Sequence, residues 1–315
     1  MRKIINELSK YKNFLVVSHA NMEGDAIGSS LALAKLLKLM GKHVLVVNED
    51  SVPAQYSFLP QTKSIKRPKS SFKFDAAALV DCSDLTRIGS VKNILPKEKI
   101  VVNIDHHAKN DNFARVNWVD SKASSCCEMI YKLFKYKKLP IDKETALLLY
   151  TGILTDTGSF KYSNTSSFTH KMASELLSFG FNVYQIYKNI YSNLSIEDSK
   201  KVLEILKNIK FDSSKKIVYL EQKKAQLNSN SGYDISEYVL DFARSIDQVE
   251  IVIFLKETLE KDKIRINLRS KGRYDVNRLA KIFGGGGHKT ASGCNIKGTL
   301  NYAKKQVLRA AKQFL

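Results

Sequence analysis

Cysteine is scarce in this chain. Four occur in 315 residues: Cys82, Cys126, Cys127 and Cys294. None stands in a C-x-x-C pair, so neither a zinc knuckle nor a thioredoxin-like redox site is indicated. A disulfide framework is equally unsupported, and the simplest compartment is a reducing cytoplasm. Long apolar runs are missing too. No stretch reaches the roughly eighteen apolar residues a membrane span requires. The first residues, Met1 to Leu8, carry acidic and polar side chains and lack a leader's apolar centre, so no secretory leader is expected. There is no dense basic tail, internal repeat or long low-complexity segment.

What is present is a basic, moderately apolar chain. Lys and Arg number 51 against 31 Asp and Glu, a formal net charge of +20. That charge suits attraction to polyanions such as nucleic acid. It equally suits a lysine-rich solvated surface, because the lysines are scattered in short pairs such as Lys137-Lys138, Lys200-Lys201 and Lys215-Lys216. The length suggests two domains, and the 43% apolar content is enough to build real cores.

Strands and helices alternate through the first half. Phe14–Val17, His43–Val47, Phe74–Val80 and Lys99–Ile104 read as short buried strands. Helical patterns run from Ala26 to Met40, where Gly41 gives a stop, and over about 124–134, 143–155 and 168–179. This alternation predicts an α/β fold, a parallel sheet with helices on both faces. A charged periodic helix near Ser195–Lys207 reads as a connector. Beyond it the pattern restarts with Lys216–Leu220, a helix near 238–245, a hairpin of Val249–Leu255 and Lys263–Leu268, and a helix at Val276–Ile282. The expected division is 1–190, a connector at 191–210, and a smaller α/β domain at 211–315.

The chemistry sits where the predicted strands end. The first ends in Ser18-His19, followed by Glu23 and Asp25; the third ends in Asp81; the fourth ends in Asp105-His106-His107. A later helix ends in Asp156. Open α/β sheets bind ligands beyond the carboxyl ends of their strands. Each residue alone could be a turn cap or a solvated loop residue. Their conjunction favours a metal centre, since adjacent imidazoles and a carboxylate are costly to bury unpartnered. Mixed carboxylate and imidazole donors suit manganese, magnesium or iron, and six or seven donors exceed what one ion needs. Two divalent cations at one site imply hydrolysis of a phosphoester or phosphoanhydride.

These spaced motifs resemble those of the DHH phosphoesterases, a family named for the triplet carried here by Asp105-His106-His107. The tail resembles the associated DHHA1 domain, through Asn267-Leu268-Arg269-Ser270, Asp275-Val276-Asn277 and Phe283-Gly284-Gly285-Gly286-Gly287-His288. Together they cover nearly the whole chain and are similar to the nanoRNase subfamily. The resemblance implies a DHH catalytic domain and a DHHA1 domain across a cleft. His19, Glu23 and Asp81 would hold one manganese, with magnesium as the substitute. Asp25, Asp81, His106 and Asp156 would hold the other, with Asp81 bridging. Asp105 would orient an imidazole, and His107 would face the substrate phosphate. One departure stands out: the family's first motif usually has Pro and Asp where this chain has Met22 and Glu23.

In the tail, the run Gly284, Gly285, Gly286 and Gly287 would let backbone N–H groups approach an anion. Arg269 can fork onto a phosphate, with Ser270 adding a hydroxyl donor and His288 closing the loop. The resemblance makes these the substrate-binding set. The expected function is hydrolysis of short single-stranded RNA to nucleoside monophosphates, with 3′-phosphoadenosine-5′-phosphate phosphatase activity beside it. Cyclic or linear dinucleotides and other nucleotide phosphates are alternative substrates. A non-catalytic single-strand-binding protein is the alternative of another class. A homodimer, with no membrane association, completes the expectation.

Overall fold

The computed structural model describes residues 1–226 and 235–315, which divide into two compact units, Met1–Ser192 and Asn193–Leu315. The first unit is built on a fully parallel five-stranded sheet. Its strands are β1 (Asn13–Val17), β2 (His43–Val47), β3 (Ala76–Val80), β4 (Ile100–Asp105) and β5 (Val116–Val119), in the order β2-β1-β3-β4-β5. Strand residues alternate between the two faces. Phe14, Val16, Ala76, Ala78 and Val80 enter one core. That core packs α1 (Arg2–Ser9), α2 (Gly24–Leu39), α3 (Cys126–Lys137), α4 (Lys143–Asp156), α5 (Ser167–Leu177) and α6 (Val183–Tyr191). Leu15, Val17, Ala77 and Leu79 point the other way, under Ile88, Val91 and Leu95 of a 3₁₀-helical segment, Leu85–Ile94, and its exit. Burial on both faces explains why these strands read as unbroken apolar runs.

The second unit carries a mixed six-stranded sheet. Its strands are β6 (Lys210–Phe211), β7 (Ile217–Gln222), β8 (Ile251–Glu257), β9 (Lys263–Ser270), β10 (Gly286–Gly287) and β11 (Ala291–Lys297), ordered β10-β11-β9-β8-β7-β6. Only β7 and β8 run parallel; β8 and β9 form the expected hairpin. Helices α7 (Ile196–Lys207) and α8 (Ser236–Ser245) cover one face. Helices α9 (Val276–Ile282) and α10 (Leu300–Lys312) cover the other. Helix α7, read from sequence as a connector, is instead part of this unit's core. Its Val202 and Ile205 are buried with Val218, Leu220 and Val239, because an amphipathic helix needs a face to cover.

Candidate metal centre

Three neighbouring strands, β1, β3 and β4, deliver their exits to one edge of the first sheet. Adjacent strands lie about 4.8 Å apart, so side chains just past their ends meet without long loops. His19 follows β1 by two residues, Asp81 follows β3 directly, and His106 follows β4 directly. Asp81 adopts a left-handed backbone (φ 54°), which a non-glycine residue rarely takes, and its N–H is held by the Ile104 carbonyl at 3.0 Å. Glu23 is the N-cap of α2, Asp25 lies in that helix's first turn, and Asp156 is the last residue of α4.

The six residues converge. His19 Nε2 lies 3.2 Å from Asp81 Oδ2 and 3.9 Å from Glu23 Oε1. His106 Nε2 lies 3.3 Å from Asp156 Oδ2, 3.6 Å from Asp81 Oδ1 and 3.9 Å from Asp25 Oδ2. Two donor groups result, His19–Glu23–Asp81 and Asp25–His106–Asp156. The two oxygens of Asp81 face different groups. His19, Asp25, Asp81 and His106 are buried, Asp156 is partly buried, and the Glu23 side chain is about half exposed at the rim.

Each donor is aimed from behind. His19 Nδ1 contacts the Ala20 carbonyl at 2.6 Å, and the Ala123 backbone hydrogen-bonds the ring of His106. Both rings therefore turn Nε2 toward the carboxylates, the second-layer arrangement typical of ligating histidines. Asp25 accepts the N–H of Cys126 at 2.7 Å and of Cys127 at 2.8 Å, the first two residues of α3. Asp105 Oδ1 accepts from His107 Nδ1 at 2.7 Å and its Oδ2 from Asn110 at 2.6 Å. Asp105 thus orients an imidazole, that of His107.

The donor set fits divalent cations. His19 Nε2, Asp81 Oδ2 and Asp156 Oδ2 are buried and have no hydrogen-bond partner among the described residues. His19 Nε2 and Asp81 Oδ2 lie 3.2 Å apart, and Asp156 Oδ2 lies 3.3 Å from His106 Nε2. Burial and the charges of Asp81 and Asp156 push the Asp25 carboxyl well above its usual range. Burial and the charges of Glu23, Asp81 and Asp105 do the same to Asp156. Burial would raise Asp81 too, but the facing imidazoles of His19, His107 and His106 hold it well below. Burial and, at His19, Arg87 oppose charging the imidazoles, yet the facing carboxylates outweigh them and raise both His19 and His106. Four acidic side chains crowded this way match the charge of two divalent cations. Burial raises the Cys126 and Cys127 thiols, which keeps them protonated beside the carboxylates.

Sequence reading missed Arg87 and Asn110, which flank the triplet without belonging to any periodic pattern. Arg87 Nη1 lies 3.1 Å from His107 Nε2. Met22, the departure from the family's usual proline, is buried in the main core. In the second unit, Arg269 donates to Glu237 of α8 and to its own Leu268 carbonyl. Ser270 is buried and donates to the Lys289 carbonyl at 3.4 Å. The glycine run is an edge strand as much as a loop. A Cβ at Gly285 would meet the Gly293 carbonyl at 2.2 Å, whereas Gly284 and Gly286 face open space. His288 is tied to β11 through its N–H to the Ala291 carbonyl, 2.7 Å.

A sheet edge with this donor set defines a metal-dependent hydrolase of phosphate esters. The comparisons agree. Residues 13–153 match the DHH family, N-terminal domain, and residues 225–315 match the DHHA1 domain. The chain is 30% identical over 295 residues to a protein of Mycoplasma genitalium named bifunctional oligoribonuclease and PAP phosphatase NrnA, covering 93% of this chain and 91% of that one. A protein of the same name from Thermus thermophilus is 28% identical over 303 residues, covering 95% and 89%. A solved structure, an exopolyphosphatase-related protein from Bacteroides fragilis, superposes with a TM-score of 0.88 at 29% identity, covering 99% and 95%. The chain belongs to the DHH/DHHA1 phosphoesterase family. Among the described residues, no helix is long and apolar enough to cross a membrane.

Proposed function

We propose that this protein hydrolyses short single-stranded RNA to nucleoside monophosphates with two manganese ions, and that it also removes the 3′-phosphate of 3′-phosphoadenosine-5′-phosphate. The observation that carries the reading is the single buried cluster in which Asp81 turns one oxygen to each donor group. Similarity to proteins named for both activities, over nearly the full length of both chains, supports the substrate class. Two divalent cations bound there would supply an activated water and neutralise the phosphoryl oxygens during in-line attack.

The chain's own residues do the rest. His19, Glu23 and Asp81 would hold one ion; Asp25, Asp81, His106 and Asp156 would hold the other. Asp105 fixes the ring of His107, so that its Nε2 is presented at a defined place beside the cluster. Asp25, while serving one ion, also caps α3, which ties the metal centre to the core. Base recognition and the grip on the terminal phosphate are assigned to Arg269, Ser270 and Gly284–His288 of the second unit. Arg269 would have to give up Glu237 to do this. The net charge of +20 favours anions of any length and does not choose among them.

The test is a rate comparison with manganese present. The substrates are a ribodinucleotide, a five-mer, a long RNA, a cyclic dinucleotide and 3′-phosphoadenosine-5′-phosphate. Fast turnover of the dinucleotide and five-mer, with slow turnover of the long RNA, is the expected result. Equal efficiency on short and long RNA would refute it, and a preference for the cyclic dinucleotide would move the protein to that substrate class.

A further inference from the structure

Arg87 has no role in the assignments above, yet it is placed for one. It sits in the 3₁₀-helical segment Leu85–Ile94 that follows β3. Asp84 caps that segment, and Ile88, beside Arg87, is fully buried in the core under the sheet. The Arg87 carbonyl accepts the Ala20 N–H at 2.7 Å, which locks it to the loop that carries His19. Its backbone is thus fixed between two of the exits that build the metal centre.

The guanidinium is half-buried and pairs with no carboxylate within 4.0 Å among the described residues. Its hydrogen bonds run from one nitrogen only, Nη1, to His107 Nε2 at 3.1 Å and to Ser83 Oγ at 3.5 Å. Nε and Nη2 meet no acceptor among the described residues, and neither is sealed from solvent. Arginine has five N–H donors in a rigid fork that matches two oxygens of a phosphate. With the carboxylates of the cluster balanced by two divalent cations, the Arg87 charge is left to attract an incoming anion.

We propose that Arg87 is the phosphate-binding cation of the first unit. Its open N–H edge receives non-bridging oxygens of the substrate's phosphoryl group, while His107 and Ser83 hold the guanidinium from behind. The Asp105–His107 pair then serves partly to position Arg87. The ligand class is a phosphate monoester or diester. The inference rests on the phosphoesterase reading of the metal centre.

The experiment compares the unmutated protein with Arg87→Ala and Arg87→Lys. Manganese stoichiometry is read by electron paramagnetic resonance. Affinity for AMP and for inorganic phosphate is read by calorimetry on the manganese-loaded protein. KM and kcat are read on a ribodinucleotide. Arg87→Ala should keep its manganese and lose about 10- to 100-fold in AMP affinity and in kcat/KM, as expected for a charge-assisted contact to substrate. Arg87→Lys should recover part of the loss, because it keeps the charge without the fork. Weaker AMP but unchanged phosphate binding would place the contact on the nucleotide and overturn the assignment. AMP affinity within two-fold of the unmutated protein, or loss of manganese in step with activity, would also overturn it. If the unmutated protein cleaves no RNA, the proposed function fails. Arg87-dependent binding of AMP and phosphate would still support the present inference.

Discussion

At the scale of single residues, Asp81 is the point on which the centre turns. One of its oxygens lies 3.2 Å from His19 and the other 3.6 Å from His106. Asp81→Asn removes the charge shared by both donor groups. It should abolish turnover and reduce manganese binding at both positions, measured by equilibrium dialysis. Retention of one full-affinity ion would contradict the bridging role. Asp84, three residues on, is the control. Its carboxylate caps the following 3₁₀-helix through the Thr86 N–H at 3.0 Å. Asp84→Ala should cost about 1 kcal/mol of stability, the usual value of a lost cap, and leave turnover nearly unchanged. Glu23→Asp is a subtler case. The shorter acid withdraws from a 3.9 Å approach to His19 at an exposed rim. Manganese dependence should persist, with affinity changed by less than about ten-fold, because a single exposed donor contributes modestly. A titration of activity against free manganese measures this.

At the scale of elements, the centre depends on how closely α2, α3 and α4 pack. Gly28 of α2 lies where a Cβ would meet the Leu148 carbonyl at 2.5 Å. Gly152 of α4 lies where a Cβ would meet Cys127 Sγ at 2.2 Å and Asp25 Oδ1 at 2.9 Å. Gly152→Ala should therefore destabilise the fold by about 1–3 kcal/mol, the usual cost of overpacking, and weaken the metal site through Asp25. Thermal melting and manganese titration would both move; a melt unchanged within a degree would show that the helices yield freely. None of this contact geometry was visible in the chain, because a glycine in a helical pattern does not announce its neighbour. The strands were visible, since β1, β3 and β4 are buried on both faces and read as apolar runs. Asp81 and His106 were visible because they follow those runs directly, and His19, Glu23 and Asp25 because they lie in the segment after the first run; Asp156 was visible at the end of a helical pattern. Asp105 was placed just past a strand and lies inside β4, a boundary shift that strand patterning does not resolve. Helix α1, the edge strand β5 and helix α10 were not anticipated. They are short, half-exposed or amphipathic, and carry no chemistry to mark them. Arg87 was missed for a related reason: its partner, His107, is 20 residues away in sequence.

At the scale of the whole molecule, the buried acid–imidazole cluster makes stability depend on pH, with a sign that metal binding reverses. In the metal-free chain the Asp25 and Asp156 carboxyls stay protonated well above their ordinary range. The unfolded chain releases those protons near pH 4. Above that pH the folded state binds more protons than the unfolded one, so stability falls as pH rises. His19 and His106, raised above 6.5, act in the same direction. Their contribution is complete below the unfolded value and is lost as pH rises through the folded one. Asp81 has the opposite sign, but its pKa is lowered, so its contribution disappears only in strong acid. Metal-free protein should therefore lose stability as pH rises from about 4 through neutrality. Bound divalent cations need the deprotonated donors, so the stabilisation they add should grow over the same interval. Melting temperatures in chelator and in excess manganese, taken across that range, provide the measurement. The gap between the two curves should widen with pH. A gap that stays constant would mean that these carboxyls give up no protons to the metal, and the cluster would then not be the site at which manganese binds.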